Sequence, residues 1–151
     1  MIYYPIQTLV TAGIREILIV TGGPFAGHFI RVLKNGEEFG LKNLEYAYQE
    51  NEAGIADALR LAEDFSDGKN ICVILGDNCT DANIKGLIDG FKNGALVHLK
   101  KVPDPNRLGV PTLDSEDEIV KITEKPRKPD NNYAVTSPYL YDNTVLRRSE
   151  I

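Results

Sequence analysis

Cysteine, histidine and tryptophan are scarce in this chain, and long apolar runs are missing altogether. Its 151 residues include two cysteines, two histidines and no tryptophan. The pair Cys72 and Cys79 is too small a set for a disulfide framework or a cysteine-based zinc site, so a reducing, cytoplasmic location is expected. No apolar run approaches the roughly 20 residues of a membrane span, and no secretory signal opens the chain, so no membrane association is expected.

Positive charge is also in short supply. Seventeen lysines and arginines face 22 acidic residues, which leaves a net charge of -5. Without a positive field to neutralise phosphates, a general nucleic-acid binder is excluded, although a local phosphate site is compatible with this charge. The composition is 42% hydrophobic and 26% charged. These values are typical of a globular domain that buries a core without metal or disulfide support.

Strand-like apolar runs alternate with segments of helical periodicity in the first two thirds of the chain. The pattern predicts strands at residues 16–21, 43–49, 70–75 and 95–101, and helices at residues 1–12, 25–33, 54–65 and 83–93. Such alternation predicts an α/β fold with a mainly parallel sheet, helices on both faces and right-handed crossovers.

The last third of the chain has a different pattern. Residues 110–113 and 118–123 predict a strand pair, and residues 133–141 predict a strand in which Pro138 requires a bulge or an edge position. Asn143 or Thr144 is a potential cap for a helix that has no stop signal before the last residue. Because no strand precedes the first helix either, we expect residues 1–151 to form a single domain that is truncated at both ends.

Polar clusters follow three of the predicted strands. They are Gly22-Gly23, Gln49-Glu50 and Gly76-Asp77-Asn78. Ligands of parallel α/β sheets bind beyond the carboxyl ends of the strands. A carboxylate such as Asp77 at that position suits Mg²⁺ beside substrate phosphates, whereas the simpler interpretation is an Asx turn. Gly22-Gly23 lacks the spacing of a dinucleotide fingerprint, and the chain has no Walker-type phosphate loop.

Two further positions suggest ligand chemistry. Gln49 can pair with the edge of a base, and Gly54 lets the backbone approach a flat ligand; the alternative is a polar turn before a helix. Glu124 and Lys125 suit a sugar phosphate, since the carboxylate accepts from hydroxyls and the ammonium meets phosphate. The alternative for that pair is a solvated ion pair at a strand end.

Seven segments occur in an order that resembles the sugar-1-phosphate nucleotidylyltransferases, in particular the branch that uses dTTP and glucose-1-phosphate. The segments are MIYYP at 1–5, AGIREILI at 12–19, YQE at 48–50 with GIA at 54–56, LGDN at 75–78, DPNRLGV at 104–110, EKP at 124–126, and NYAVT at 132–136 with Tyr139 and YD at 141–142. The resemblance runs along essentially the whole chain. It implies a Rossmann-like nucleotidyltransferase fold and a Mg²⁺-dependent transfer from dTTP, or a related nucleoside triphosphate, to a sugar-1-phosphate.

The resemblance also implies roles for individual residues. The implied nucleotide-binding residues are Gln49, Gly54, Ile55, Gly76 and Asp77, and the implied sugar-phosphate-binding residues are Gly109, Glu124, Lys125 and Val135. Asp77 would hold the metal, and Asp77 and Lys125 would be the catalytic residues.

Two parts of the family pattern are not found in this chain. They are the glycine-rich GGxGTR loop with the first central strand, and a second metal-binding aspartate. Strands that flank a missing central strand have unpaired edges. We therefore expect them either to close the gap or to recruit a partner chain, such as a second copy, near Ile17, Ile19 and Val73.

Three hypotheses follow for the function. The first is a nucleotidyltransferase enzyme, whose activity as this chain alone is an open question. The second is a relative that binds a nucleotide or a sugar phosphate without turnover. The third is a subunit that requires a full-length partner.

Overall fold

A computed structural model of the protein describes residues 1–51 and 54–145. Contacts divide the chain into two compact units. The first unit comprises residues 1–95 and the segment from Leu140 onward, and the second comprises Leu96–Tyr139. Two compact units can belong to one folding domain, so the single domain over residues 1–151 stays a prediction.

Helices and strands alternate over most of the described chain. The helices are α1 (Tyr3–Thr11), α2 (Ala26–Leu33), α3 (Ile55–Arg60), α4 (Glu63–Ser66) and α5 (Lys85–Gly90), with short 3-10 helices at Gly23–Phe25 and Glu37–Phe39. The strands are β1 (Glu16–Gly22), β2 (Asn43–Gln49), β3 (Ile71–Val73), β4 (Ala95–Lys101), β5 (Gly109–Leu113), β6 (Ile119–Glu124) and β7 (Tyr133–Tyr141). The predicted α/β class is confirmed. None of the described helices has the length and apolar character needed to cross a membrane.

A parallel strand pair forms the centre of the first unit. β1 and β2 run in register from Glu16 opposite Asn43 to Gly22 opposite Gln49. Helix α1 covers the pair, because its apolar side chains recur at helical spacing and face the strands. The core of this unit consists of Ile6, Leu9, Ala12, Ile17, Leu33, Leu41, Leu44 and Ile84. The register brings the last residues of both strands to the same edge of the sheet.

β7 is the middle strand of a sheet with the order β3-β7-β4. Of the two alternatives predicted at Pro138, a bulge or an edge position, the edge position does not hold for the strand as a whole. Proline lacks an N–H donor, but its carbonyl can still accept a hydrogen bond. The Pro138 carbonyl lies 2.7 Å from Nδ1 of His98 on β4, and the Ser137–Pro138 peptide bond is cis.

The predicted strand pair of the last third is an antiparallel hairpin. β5 and β6 pair from Gly109 opposite Glu124, with an irregularity at Thr112/Leu113. The connecting turn is closed by Asp114, whose Oδ1 accepts hydrogen bonds from the backbone N–H groups of Glu116 and Glu118. Aspartate is suited to this role because its short carboxylate reaches the backbone two residues on.

Two predicted helices are shorter than expected. The helix predicted at 54–65 divides into α3 and α4, because the Ala62 N–H bonds to the Leu59 carbonyl three residues back and tightens the chain. The helix predicted at 83–93 is α5 alone, and the Asn83 side chain accepts a hydrogen bond from the Lys85 N–H at its start. The helix predicted at the chain end lies almost wholly outside the described residues.

A groove in the first unit runs beside β1 and β3, and we call it the β1–β3 groove. Its volume is about 440 Å³, and its walls are mostly apolar, with Ile17 and Ile19 on one side, Ile71 and Val73 on another and Ile6 of α1 above them. β1 and β3 belong to different sheets. The described strands have therefore not closed the expected gap, and recruitment of a partner chain stays a prediction.

Candidate functional site

Gly22 and Gln49 end the two parallel strands at the same level. They are partners in the β1–β2 register. A Cβ atom placed on Gly22 would collide with the backbone carbonyl of Gln49, so this position requires glycine. Sequence reasoning marked Gly22 as the end of a strand but assigned it no role. The close approach of the two backbones explains its identity.

The Gln49 side chain is tied to the start of the following helix. Its Nε2 donates to Oδ2 of Asp57 at 2.7 Å and to the backbone carbonyl of Gly54 at 3.2 Å. Gly54 has a φ of 91°, in the left-handed region that favours glycine. The structure thus brings Gln49 and Gly54, two residues of the predicted nucleotide site, into contact. Sequence reasoning missed Asp57.

Ile55 is the first residue of α3 and adjoins Gly54. Its side chain is 41% exposed, which leaves apolar surface next to the Gln49–Gly54 contact. An exposed aliphatic face beside a polar amide matches the needs of a flat, hydrogen-bonding ligand such as a base. Glu52 and Ala53, which precede Gly54 in the sequence, lie outside the described residues.

Asp77 follows β3 in a tight turn. The Asn78 N–H donates to the Leu75 carbonyl at 3.0 Å, so Gly76 and Asp77 occupy the middle of the turn. The Asp77 side chain is exposed and makes no hydrogen bond or ion pair with the described residues. This geometry leaves its carboxylate available to a ligand.

Asp77 could supply one protein ligand to a magnesium ion, and the other ligands would have to come from elsewhere. No group of three or more His, Cys, Asp or Glu side chains comes together for a metal within residues 1–51 and 54–145. Mg²⁺ is commonly held by one or two carboxylates and completed by substrate phosphates and water. A single exposed carboxylate is compatible with that arrangement.

Three predicted sugar-side residues meet in the second unit. Gly109 lies opposite Glu124 in the hairpin. A Cβ atom on Gly109 would lie 3.3 Å from Glu124 Oε2 and 3.8 Å from the Val135 Cβ. Positions that are far apart in the chain therefore share one small area, in which the absence of a side chain on Gly109 leaves the backbone open.

Lys125 follows Glu124 immediately after β6. Its N–H donates to the Leu108 carbonyl at 3.0 Å, and its φ of 45° is left-handed. Its ammonium lies 3.8 Å from Glu124 Oε1, with the two side chains 68% and 70% exposed. A pair this exposed is weak, which matches the simple interpretation and leaves both groups free to exchange partners.

Tyr139 adds to the electrostatics of the second unit. Its ring is buried, and burial raises the pKa of its hydroxyl, with a smaller contribution in the same direction from the Glu124 carboxylate. The hydroxyl therefore stays protonated at neutral pH and can donate a hydrogen bond. Sequence reasoning included Tyr139 in the family pattern but gave it no role.

The chain matches the family model described as nucleotidyl transferase over residues 1–150. It is 40% identical over 148 residues to a glucose-1-phosphate thymidylyltransferase of Xanthomonas campestris pv. campestris (strain B100), a match that covers 94% of this chain and 49% of the relative. A glucose-1-phosphate thymidylyltransferase of Neisseria gonorrhoeae is 38% identical over 150 residues, which covers 97% of this chain and 52% of the relative. The chain thus spans about half the length of these curated relatives.

Solved structures show the same similarity. A Bacillus anthracis protein assigned as a glucose-1-phosphate thymidylyltransferase, solved in complex with a sucrose, superposes with a TM-score of 0.91 at 40% identity. The match covers 97% of this chain and 60% of that protein. An apo UDP-glucose pyrophosphorylase superposes with a TM-score of 0.75 at 19% identity over 97% of this chain and 66% of that protein, which shows a shared fold alone.

Proposed function

This chain belongs to the nucleotidyl transferase family, and from that membership we propose that it carries the base-binding and sugar-binding parts of a glucose-1-phosphate thymidylyltransferase. In the proposed reaction, a phosphate oxygen of glucose-1-phosphate attacks the α-phosphorus of dTTP. The new P–O bond forms as the bond between the α-phosphorus and the bridging oxygen breaks, and pyrophosphate leaves. The products are dTDP-glucose and pyrophosphate.

The observation that carries this proposal is the meeting of Gly109, Glu124 and Val135. The family resemblance implies these three positions for sugar binding, and they lie on three different strands. A Cβ atom placed on Gly109 would lie 3.3 Å from Glu124 Oε2 and 3.8 Å from the Val135 Cβ, so the three residues adjoin one another. This proximity supports a shared sugar site. Lys125, next to Glu124, supplies an exposed ammonium for the sugar phosphate.

On the nucleotide side, we assign the base to Gln49, Gly54 and Ile55. The amide of Gln49 hydrogen-bonds to the base edge, and Ile55 packs on its flat face. Most of the catalysis in such a transfer comes from positioning the two substrates and neutralising charge, since the protein forms no covalent bond.

We assign Mg²⁺ to Asp77, which would hold it together with triphosphate oxygens. Mg²⁺ held by Asp77 would supply positive charge to offset the charge of the substrate phosphates. Gly76, which precedes Asp77, lies close to Ile2 and keeps the turn compact: a Cβ on Gly76 would lie 3.4 Å from the Ile2 Cδ1.

Binding without turnover is the second candidate function. It is favoured by the lone carboxylate of Asp77, because no acidic cluster accompanies it in the part of the chain that the structure describes. A subunit that is completed by a full-length partner is a form of the same candidate. In either case the nucleotide and the sugar phosphate bind, and pyrophosphate release requires a further chain.

Pyrophosphate release by the purified chain with Mg²⁺, dTTP and glucose-1-phosphate tests the proposal. We expect Asp77→Ala to lower the rate by roughly a hundredfold or more, because it removes a group that stabilises transition-state charge. Asp64→Ala is the matched control, since Asp64 is an exposed carboxylate on α4 of the same unit.

Calorimetric titration of each substrate separates the outcomes. Binding of both substrates without pyrophosphate release would support the second candidate. If neither dTTP nor glucose-1-phosphate binds, both candidate functions are contradicted. If the unsubstituted chain releases pyrophosphate, an equal rate for the Asp77→Ala variant would contradict the role assigned to Asp77.

A further inference from the structure

The contact between Asp57 and Gln49 fixes the orientation of the Gln49 amide. A glutamine amide has a donor end, Nε2, and an acceptor end, Oε1. The two partners of Nε2 are the Asp57 carboxylate at 2.7 Å and the Gly54 carbonyl at 3.2 Å. Neither partner can donate a hydrogen bond, so turning the amide over would place Oε1 against two acceptors.

The orientation has a consequence for the free end of the side chain. Both N–H groups of Nε2 are matched by acceptors within the protein, which leaves Oε1 as the hydrogen-bonding group that Gln49 offers to a ligand. Oε1 makes no hydrogen bond with the described residues. Gln49 therefore presents an acceptor instead of the ambiguous donor–acceptor pair of a freely rotating amide.

Pyrimidine bases differ at the atom that such an acceptor reads. Thymine and uracil carry an N–H at ring position 3, whereas cytosine has a lone pair there. We propose that Asp57 is a positioning residue that holds Gln49 as an acceptor and so sets a preference for thymine or uracil over cytosine. This inference rests on the proposed function, in which Gln49 contacts the base.

The polar surroundings of Asp57 support this role. Asp57 lies in the first turn of α3, and its side chain is half-buried. The Asp57 carboxylate accepts a hydrogen bond of 2.7 Å from the Gln49 amide, which lies eight residues earlier in the chain. Gly22, packed against the Gln49 backbone, fixes the other end of the same residue. Gln49 is thus held at both its backbone and its side chain.

Binding of dTTP and dCTP, measured by calorimetry on the full chain, tests the proposal. Asp57→Asn keeps the size of the side chain but introduces an amide that can donate, so the Gln49 amide is free to turn. We expect the ratio of dTTP to dCTP affinity to fall about tenfold, the effect of one lost or reversed hydrogen bond. Asp64→Asn, the same substitution on exposed α4, is expected to leave the ratio unchanged.

A double-mutant comparison shows whether Asp57 acts through Gln49. In a Gln49→Ala background, the added Asp57→Asn substitution is expected to have no effect on the affinity ratio. If Asp57→Asn weakens the binding of dTTP and of dCTP by the same factor, the proposal is overturned, because a purely structural role of Asp57 would have that effect. An unchanged ratio would also overturn it.

Nucleotide binding by the unsubstituted chain separates this inference from the proposed function. A chain that binds neither dTTP nor dCTP would contradict the proposed function and this inference together. A chain that prefers dTTP, with a ratio that Asp57→Asn does not alter, would contradict the positioning role alone.

Discussion

At the scale of single residues, Lys125 combines two properties that can be separated. Its backbone is left-handed, with a φ of 45°, and its ammonium is exposed beside Glu124. A left-handed conformation costs a non-glycine residue about 1 kcal/mol. Glycine adopts this conformation without that cost, so a substitution with glycine removes the ammonium and keeps the backbone conformation.

Replacing Lys125 with glycine is expected to weaken binding of glucose-1-phosphate at least tenfold, since a charge-assisted contact to phosphate is lost. The free energy of unfolding is expected to change by less than about 1 kcal/mol, because relief of the left-handed backbone offsets the greater freedom of glycine in the unfolded chain. Calorimetric titration and denaturant unfolding measure the two effects.

Lys34→Gly is the matched control for this experiment. Lys34 also has a positive φ, of 51°, and it has no assigned role in binding. It is expected to reproduce the small stability change while leaving sugar-phosphate binding intact. Equal loss of binding in the two variants would contradict the role assigned to Lys125.

At the scale of elements, the short strand β3 and the loop after it provide two different environments for cysteine. Cys72 lies on β3 and lines the β1–β3 groove, and burial raises the pKa of its thiol to about 12. Cys79 lies in the loop after β3 and is exposed. The two thiols therefore differ in their access to solvent, and burial disfavours the thiolate of Cys72.

Alkylation by iodoacetamide at pH 8 is expected to modify Cys79 quickly and Cys72 only after unfolding, because the thiolate is the reactive form. With a pKa of about 12, only on the order of 1 in 10,000 Cys72 thiols is ionised at pH 8. Mass spectrometry of the modified chain identifies the site. Cys79→Ser should abolish the fast reaction, and equal rates at the two thiols of the folded chain would contradict the burial of Cys72.

Because folding raises the pKa of the Cys72 thiol, the free energy of unfolding depends on pH. The thiol ionises near pH 9.0 when unfolded and near pH 12 when folded. The contribution of the neutral buried thiol is therefore complete below pH 9 and is lost as the pH rises from 9 toward 12.

At the scale of the whole molecule, the β1–β3 groove leaves a large apolar surface of the first unit open. Its volume is about 440 Å³, and its lining is mostly apolar. Burying apolar surface that is otherwise in contact with water stabilises an assembly by about 25 cal/mol per Å². A groove of this size beside an open strand edge therefore favours association with another chain.

We expect the purified chain to self-associate with increasing concentration, as measured by sedimentation velocity. Val20→Lys places a charge in the groove wall at β1 and is expected to shift the chain toward monomer, since inward-facing charges block strand edges. Val32→Lys on α2, where the valine is 43% exposed, is the control and is expected to leave association unchanged. A chain that stays monomeric at all concentrations would contradict self-association through the β1 edge.

The sequence by itself determined the local order of the fold. The strands at 43–49, 95–101 and 133–141 have the bounds that their patterns predict, since alternation and turn residues act over a few neighbours. Gln49 ends a strand and Asp77 follows one, as their local patterns predict. The break between α3 and α4 escaped prediction, because the apolar spacing continues across it while a single tightened hydrogen bond interrupts the helix.

Only the tertiary structure decided which distant residues meet. The approach of Gly22 to Gln49, the hold of Asp57 on Gln49 and the meeting of Gly109 with Glu124 and Val135 each join separate elements. The position of β7 in the middle of its sheet, despite Pro138, belongs to the same class. Such contacts depend on strand register and packing across the whole chain, and neither quantity is contained in the local spacing of residues.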